Sequence, residues 1–499
     1  MRVLFLLFDS LNRHSLGLYG GTYIQTPNFD RLAERSVVFE NHYVGSLPCM
    51  PARRDLHSGR LSMFHRSWGP LEPFDQSFPA ILGRSDIYSH LVSDHYHYFE
   101  DGGWSYHNRY STWEYIRGQE GDKWKAMVTP PIDRLREKYH KIQVDENRDS
   151  FRFQAMLNRE AILEEQDFPS VQCIDAGLKF LSENKDSDNW FLQIETFDPH
   201  EPFHAPARFR KDYPTEYEGA ILDWPRYREV SESPAEIAEL RANYAALVSL
   251  CDEQLGRILD RFDQEDLWSN TAIVLTTDHG FLLGEHDLWG KTRLPCYNEV
   301  ARIPLLIHHP DFQNRRGERR MALSQATDLM PTFLDVFGLS APVPAQGRSL
   351  LPVLEADVPQ RDCAVYGIFG GAVNITDGRY TYFRAPVADE QLYEYTLMPT
   401  HMHGFFEAKE FVGAQLVNPF DFTQGMPLLR LPALGDAKRP PIQGGGFHDL
   451  RTVLYDVASD PHQTRPVDDG EVERRLIELL RAEMIRHEAP AELFQRLGL

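Results

Sequence analysis

The run "RVLFLLFD" near the start of the chain limits its fold more than any other feature. Val3 to Phe8 is continuously apolar rather than alternating, the pattern of a parallel strand covered on both faces by helices. The opening "MRVLFLLF" meets Asp9 at once and lacks a small-residue cleavage site, so it reads as a buried strand rather than an export signal. Comparable segments recur at Ile87 to Val92, Trp190 to Ile194, Ala272 to Thr277 and Ile303 to Ile307. Helical spacing lies between them: Asn28 to Arg35 places Phe29, Leu32 and Ala33 on one side, and apolar residues recur at that spacing through Pro234 to Phe262. This alternation predicts an α/β fold with a large, mostly parallel sheet flanked by helices. From Pro352 onward the chain changes character, with proline, glycine and aromatic residues among short strands such as "RYTYFR" and a final amphipathic helix over Glu471 to His487. A catalytic domain over 1–351 and a smaller C-terminal α+β subdomain over 352–499 are expected.

The formal net charge of -22 opposes nucleic acid or an anionic membrane as a general partner. No apolar run reaches the roughly 18 residues of a membrane span. The five cysteines, at 49, 173, 251, 296 and 363, are odd in number and scattered, so they suggest neither a disulfide framework nor a metal cluster. A reducing, cytoplasmic location is expected.

Ligands of open α/β sheets bind beyond the carboxyl ends of the strands. That criterion selects Asp9, His95, His97, His200 and the pair Asp278-His279. Two carboxylates and an imidazole suit a divalent cation such as Mn²⁺, Zn²⁺, Mg²⁺ or Ca²⁺. "GFLLGEHDLWGKTR" follows His279 and offers Glu285, His286, Lys291 and Arg293. In "DPHEP", His200 stands where it could protonate a leaving group.

"LPCMPARRDLHSGR" sets Cys49 between Pro48 and Pro51 and follows it with Arg53, Arg54, His57 and Arg60. Arg53 and Lys291 suit neutralisation of a sulfate, phosphate or phosphonate while a metal polarises it. Cys49 then lies where a nucleophile is needed, and the arginines predict a lowered pKa for its unmodified thiol.

These residues resemble the sulfatase family of the alkaline-phosphatase-like superfamily. "CMPAR" from Cys49 matches the family's Cys-x-Pro-x-Arg signature, and "SGR" from Ser58 matches the Thr-Gly-Arg that ends the extended motif. "FDSLNRHSLGLYG" from Phe8, "TPNFDRLAERSVVFENHY" from Thr26, "TTDHGFLLGEHDLWGK" from Thr276, "TDLMPTFLDVFG" from Thr327 and "LYDVASDP" from Leu454 resemble further landmarks in the family's order. The resemblance covers nearly the whole chain.

It implies an alkaline-phosphatase-like fold and conversion of Cys49 by a maturase to formylglycine (3-oxoalanine), whose hydrated diol attacks sulfur or phosphorus. Asp9, Cys49, Asp278 and His279 are the implied metal positions, Mn²⁺ or Ca²⁺ being favoured over Zn²⁺ or Mg²⁺. Arg53 is expected to hold the nucleophile's segment, Lys291 to contact the anion, His200 to protonate the departing alcohol and His97 to act as the catalytic histidine.

Three positions depart from the pattern. The second of the family's paired aspartates is Ser10, an uncertain second-position metal contact. A frequent asparagine is His279, and the lysine of the family's Gly-Lys-Trp-His stretch is His95, where an imidazolium would partly replace the lysine in substrate binding. The first two changes resemble the phosphonate monoesterase and choline-sulfatase-like branches. The expected substrate is a small sulfate ester, with phosphonate or phosphate mono- or diesters as the alternative and a non-catalytic anion-binding protein as the outlier. Tyr96 to Tyr110 and Thr396 to Phe411, rich in aromatic and histidine residues, are expected either to wall the pocket or to pack subdomains together. The C-terminal segment offers a place for homo-oligomer contacts.

Overall fold

The computed structural model describes residues 1–292, 295–387, 390–433 and 450–499. Its main sheet has eight strands in the order Arg319–Arg320, Val37–Phe39, Leu305–His308, Thr271–Thr276, Arg2–Phe8, Trp190–Thr196, Tyr88–Ser93, Thr112–Tyr115. The five strands from Thr271–Thr276 to Thr112–Tyr115 are all parallel. The segment expected at Ile303 to Ile307 forms Leu305–His308 and runs antiparallel to both neighbours.

Arg2–Phe8 shows why the apolar run is continuous. Successive side chains point to opposite faces of a strand, and both faces here are covered. Leu4, Leu6 and Phe8 join a core that includes the buried sides of Pro27–Arg35, Pro169–Glu183 and Pro234–Gln264. Val3, Phe5 and Leu7 join a second core with Cys49–Ser58, Phe78–Arg84 and Leu329–Val336. Phe333 is central to this second layer, its ring 4.9 Å from Phe5, 5.2 Å from Phe78 and 5.0 Å from Phe191.

The C-terminal part builds a five-stranded sheet in the order Val453–Asp456, Tyr380–Arg384, Val373–Thr376, Ala364–Ile368, Ser46–Leu47. Its last strand comes from the N-terminal part and pairs in parallel with Ala364–Ile368 immediately before Cys49. The helix Gly470–Arg486 packs Leu476, Leu480 and Met484 against Leu61, Met63 and Phe64. The segment that carries Cys49 therefore lies between the two sheets. None of the five cysteines is in a disulfide, and all five are buried. Among the described residues, no helix is long and apolar enough to cross a membrane.

Phe333→Ala is expected to cost ~3–5 kcal/mol through the cavity it leaves. Urea unfolding followed by tryptophan fluorescence checks this, and a loss below about 1 kcal/mol would contradict the central place given to the ring.

Candidate active site

Sheet register brings the first two carboxylates together. Leu7 pairs with Thr276 on one side of Arg2–Phe8, and Phe8 pairs with Thr196 on the other. Two residues further, Asp9 lies beside Asp278, and Asp9 N donates to Thr196 O at 3.0 Å. The third carboxylate, Glu195, is the penultimate residue of Trp190–Thr196.

The cation that answers them comes from Cys49–Ser58, which begins at Cys49 itself. Pro51 is tolerated there because the N–H groups of the first turn have no helical partner. Asp55 accepts from Ser46 N at 2.6 Å and Ser62 N at 2.8 Å, tying both ends of the segment down. Arg53 lies one turn after Cys49 on the same face and donates to Cys49 O at 2.9 Å. Its other bonds go to Glu195 at 2.7 Å, Asp278 at 2.7 Å and Asp9 at 2.8 Å. The guanidinium is fully buried, and these carboxylates raise its pKa despite the cost of burial. Arg53 is therefore committed to three acids, and Arg54 is paired with Asp75 at 2.7 Å. Arg53 is thus not free to neutralise an anion, as the sequence suggests it would.

Asp9, Cys49, Asp278 and His279 offer ligand atoms that all lie within 4.8 Å of one another, so the four expected metal positions converge. Cys49 Sγ is 3.3 Å from His279 Nε2. A side chain at the next residue is excluded, because a Cβ on Gly280 would meet Glu299 O at 1.9 Å. Burial opposes the charge of Asp9, but Lys291 and Arg53 outweigh it and hold its pKa well below the usual carboxylate range. Ser10, at φ 61°, links these groups: its hydroxyl donates to Asp9 Oδ1 at 2.7 Å and accepts from Lys291 Nζ at 2.7 Å. The serine thus bridges the lysine to the first carboxylate. Arg293 lies outside the described residues.

The expected low thiol pKa is overturned. Burial pushes Cys49 well above the ordinary thiol value, and Asp9 and Asp278 add to the effect against Lys291 and Arg53. An unmodified Cys49 is a protonated thiol. Burial works against the charge of Lys291, but the carboxylates of Glu201, Asp9 and Asp278 around it raise its pKa all the same.

The histidines line one side of the site. His97 is 5.0 Å from His95 between ring centroids, His95 is 5.0 Å from Phe197, and Phe197 is 4.0 Å from His200. Burial, then Arg53, pushes the pKa of His95 well below the usual histidine range. It is a neutral imidazole, and the expected imidazolium is corrected accordingly. Among the described residues, neither of its buried ring nitrogens has a hydrogen-bond partner. His200 is likewise depressed by burial and then by Lys291, and its Nδ1 donates to Glu201 O at 2.6 Å, leaving Nε2 as acceptor. Burial also lowers the pKa of His279 and His97.

Sequence reasoning missed Glu195, which also accepts from Tyr98 Oη at 2.9 Å and Gln193 Nε2 at 2.8 Å. A glutamate inside "WFLQIET", a strand buried throughout, was the available signal, since a buried carboxylate needs a partner. It also missed Glu120 and Glu201, which offer ligand atoms beside His200. Burial and Glu201 push Glu120 up to about 8.

The family profile described as Sulfatase matches residues 2–339. The multifunctional alkaline phosphatase superfamily protein PehA of Trinickia caryophylli is 26% identical over 381 residues, covering 68% of this chain and 73% of that protein. Iduronate 2-sulfatase of Homo sapiens is 26% identical over 385 residues, covering 71% of this chain and 66% of that protein. Phosphonate monoester hydrolase of Agrobacterium radiobacter shares the fold with a TM-score of 0.65 at 18% identity, over 97% of this chain and 96% of the other.

Arg53→Met is expected to cost ~3–5 kcal/mol at neutral pH, because it strands buried carboxylates without their counter-charge. In the parent protein the depressed pKa of Asp9 contributes stability above the unfolded carboxylate pKa that is lost as pH falls. In the variant the stranded acids instead gain by protonation, so the gap between the two narrows from pH 7 toward pH 4. Denaturant titrations at both pH values check this, and a constant gap would contradict it.

Proposed function

The chain belongs to the sulfatase family, and from that premise we propose that it hydrolyses a monoanionic sulfate ester, with Cys49 matured to formylglycine as the nucleophile. The convergence of Cys49, Asp9, Asp278 and His279, with Lys291 reaching the same carboxylate cluster through Ser10, carries the reading. The raised pKa of the cysteine thiol favours the matured residue over direct thiolate attack.

Asp9, Asp278, His279 and the oxygen that maturation puts at position 49 form an oxygen-rich donor set with one imidazole. That set fits a single divalent cation, Mn²⁺ or Ca²⁺ first and Zn²⁺ or Mg²⁺ after them. When bound, the cation supplies Lewis-acid polarisation. Arg53 fixes the two aspartates and the first turn of the nucleophile's helix. Lys291 binds the ester's anionic oxygens. His200 delivers a proton to the leaving alcohol once the bound anion has raised its pKa, and His97 takes up the proton released in the second half of the reaction. His95 contacts the substrate through a neutral ring nitrogen.

Charge narrows the substrate class. With Arg53 committed to carboxylates and His95 neutral, Lys291 is the cationic side chain available to the substrate among the residues placed in the site. One ammonium beside one divalent cation suits a singly charged ester. Sulfate monoesters and phosphonate monoesters carry that charge, whereas a phosphate monoester becomes doubly charged above pH 6 or so. Phosphonate monoester hydrolysis is therefore the second reading, supported by the fold shared with a phosphonate monoester hydrolase. A non-catalytic anion-binding protein would bind such esters without turning them over.

Peptide mass spectrometry on protein from its native host should find formylglycine at position 49, and cysteine alone in active protein would sink the proposal. On matched aryl substrates, turnover of the sulfate or phosphonate should exceed that of the phosphate monoester at pH 8. The difference should shrink below pH 6 as the phosphate takes up its proton. A preference for the dianionic phosphate at pH 8 would overturn the charge argument.

A further inference from the structure

Tyr96–Phe99 forms a short turn after the strand Tyr88–Ser93, and the residue that follows it, Glu100, faces two imidazoles. Glu100 Oε2 lies 2.6 Å from His97 Nδ1, and Glu100 Oε1 lies 2.9 Å from His403 Nδ1. His403 belongs to the segment Thr396 to Phe411, far along the chain. One carboxylate therefore bridges the proposed base and a histidine from the C-terminal part. We infer that Glu100 and His403 are positioning residues for His97, fixing the tautomer with its proton on Nδ1 and Nε2 as the acceptor. This rests on the proposed role of His97 as base.

The chemistry of the contact requires that tautomer. A carboxylate only accepts, so the His97 nitrogen facing it must carry the proton, and in a neutral ring the lone pair is then on Nε2. The contact to Glu100 occupies the Nδ1 side of His97. His403 supplies the second donor that keeps Glu100 turned toward His97. Ligand atoms of His97, Glu100 and His403 also lie within 4.8 Å of one another, so a cation held by all three is the outcome against which the test below is set.

Packing holds the bridge in place. Trp68 stands edge-on to His97 at 5.2 Å between centroids and lies at 28° to the His403 ring at 5.8 Å. The two loops meet through backbone, with Gly102 N donating to Met402 O at 3.0 Å. A Cβ on Gly102 would meet His401 O at 2.4 Å, and one on Gly103 would meet His97 O at 1.8 Å. Thr400 Oγ1 donates to Gly404 O at 2.9 Å and closes the turn that presents His403. These contacts resolve the two readings of the aromatic and histidine-rich stretches: they pack against each other, and their junction supports a site histidine.

The charges agree with the geometry. Glu100 is held down to about 2 by His97 and His403 against the cost of burial, so it is a carboxylate throughout the working range. Partial desolvation lowers the pKa of His403, whose side chain is 38% exposed, but Glu100, with Asp101 adding and Lys123 opposing, raises it overall. Around His97, Glu100 favours the charged ring while burial, His403 and Arg53 oppose it.

The test is ¹⁵N NMR of histidine-labelled full-length protein, run beside steady-state kinetics on an aryl sulfate. The His97 signals should report Nδ1–H in the parent protein. Glu100→Gln, whose amide can donate to Nδ1, should shift them toward the Nε2–H form and lower kcat on the order of 10²-fold with little change in KM. His403→Ala should lower kcat roughly tenfold, as expected for one charge-assisted hydrogen bond. His403→Asn, which keeps a donor near the Nδ1 position, should restore most of it. A tautomer unchanged in Glu100→Gln, or parental kcat in His403→Ala, would overturn the inference. A tightly bound transition metal lost in His403→Ala, with Nδ1 unprotonated on His97, would also overturn it. His97→Ala separates the two levels: full turnover in that variant refutes the base assignment, while the NMR result still decides the positioning.

Discussion

Arg53 holding Asp9, Asp278 and Glu195 is the interaction on which the rest of the site depends. Three carboxylates gathered at the ends of adjacent parallel strands repel one another and lose their water, a cost that a single well-placed guanidinium offsets through its fixed fork of donors. Lysine offers a point charge and could not reach all three in this geometry. Because the fourth contact of Arg53 is the carbonyl of Cys49, the same group that stabilises the acids fixes the first turn of the Cys49 helix against them.

That arrangement divides the positive charge of the site into two functions. Arg53 is structural and fully spent, while Lys291 remains with the Ser10 hydroxyl and the edge of Asp9. The replacement of a second acid by Ser10 fits this division. A hydroxyl can donate to Asp9 and accept from Lys291 at once, whereas another carboxylate would have paired with the ammonium directly. The buried neutral histidines then offer hydrogen bonds and proton acceptance without adding charge.

The site is built across the two parts of the chain. Ser46–Leu47 joins the C-terminal sheet one residue before Pro48 and Cys49, and His403 reaches Glu100 from the other side. The proposed nucleophile and the proposed base are thus each braced by the C-terminal part. A fold that kept the large sheet and lost the small one would lose the support of both.

The continuous apolar run of Val3 to Phe8, the polar residues that end the strands and the spacing around Cys49 were sufficient to name the α/β class and to single out Asp9, Cys49, Arg53, Asp278, His279 and Lys291, which the fold brings together. These depend on period and on strand ends, which are local properties of a sequence. Glu195 was passed over because its partner stands on a helix far away in the chain, and Glu100 because it carries no motif and its second partner comes from the C-terminal part. Charge states were also beyond the sequence. Proximity of arginines to Cys49 along the chain suggested a thiolate, yet burial and the guanidinium's commitment to three acids give a protonated thiol. The sequence by itself determined which residue types stand at the carboxyl ends of the strands. The tertiary structure decided which of them are charged and which are free to meet a substrate, because desolvation and the pairing of distant side chains arise only once the strands and loops are packed together.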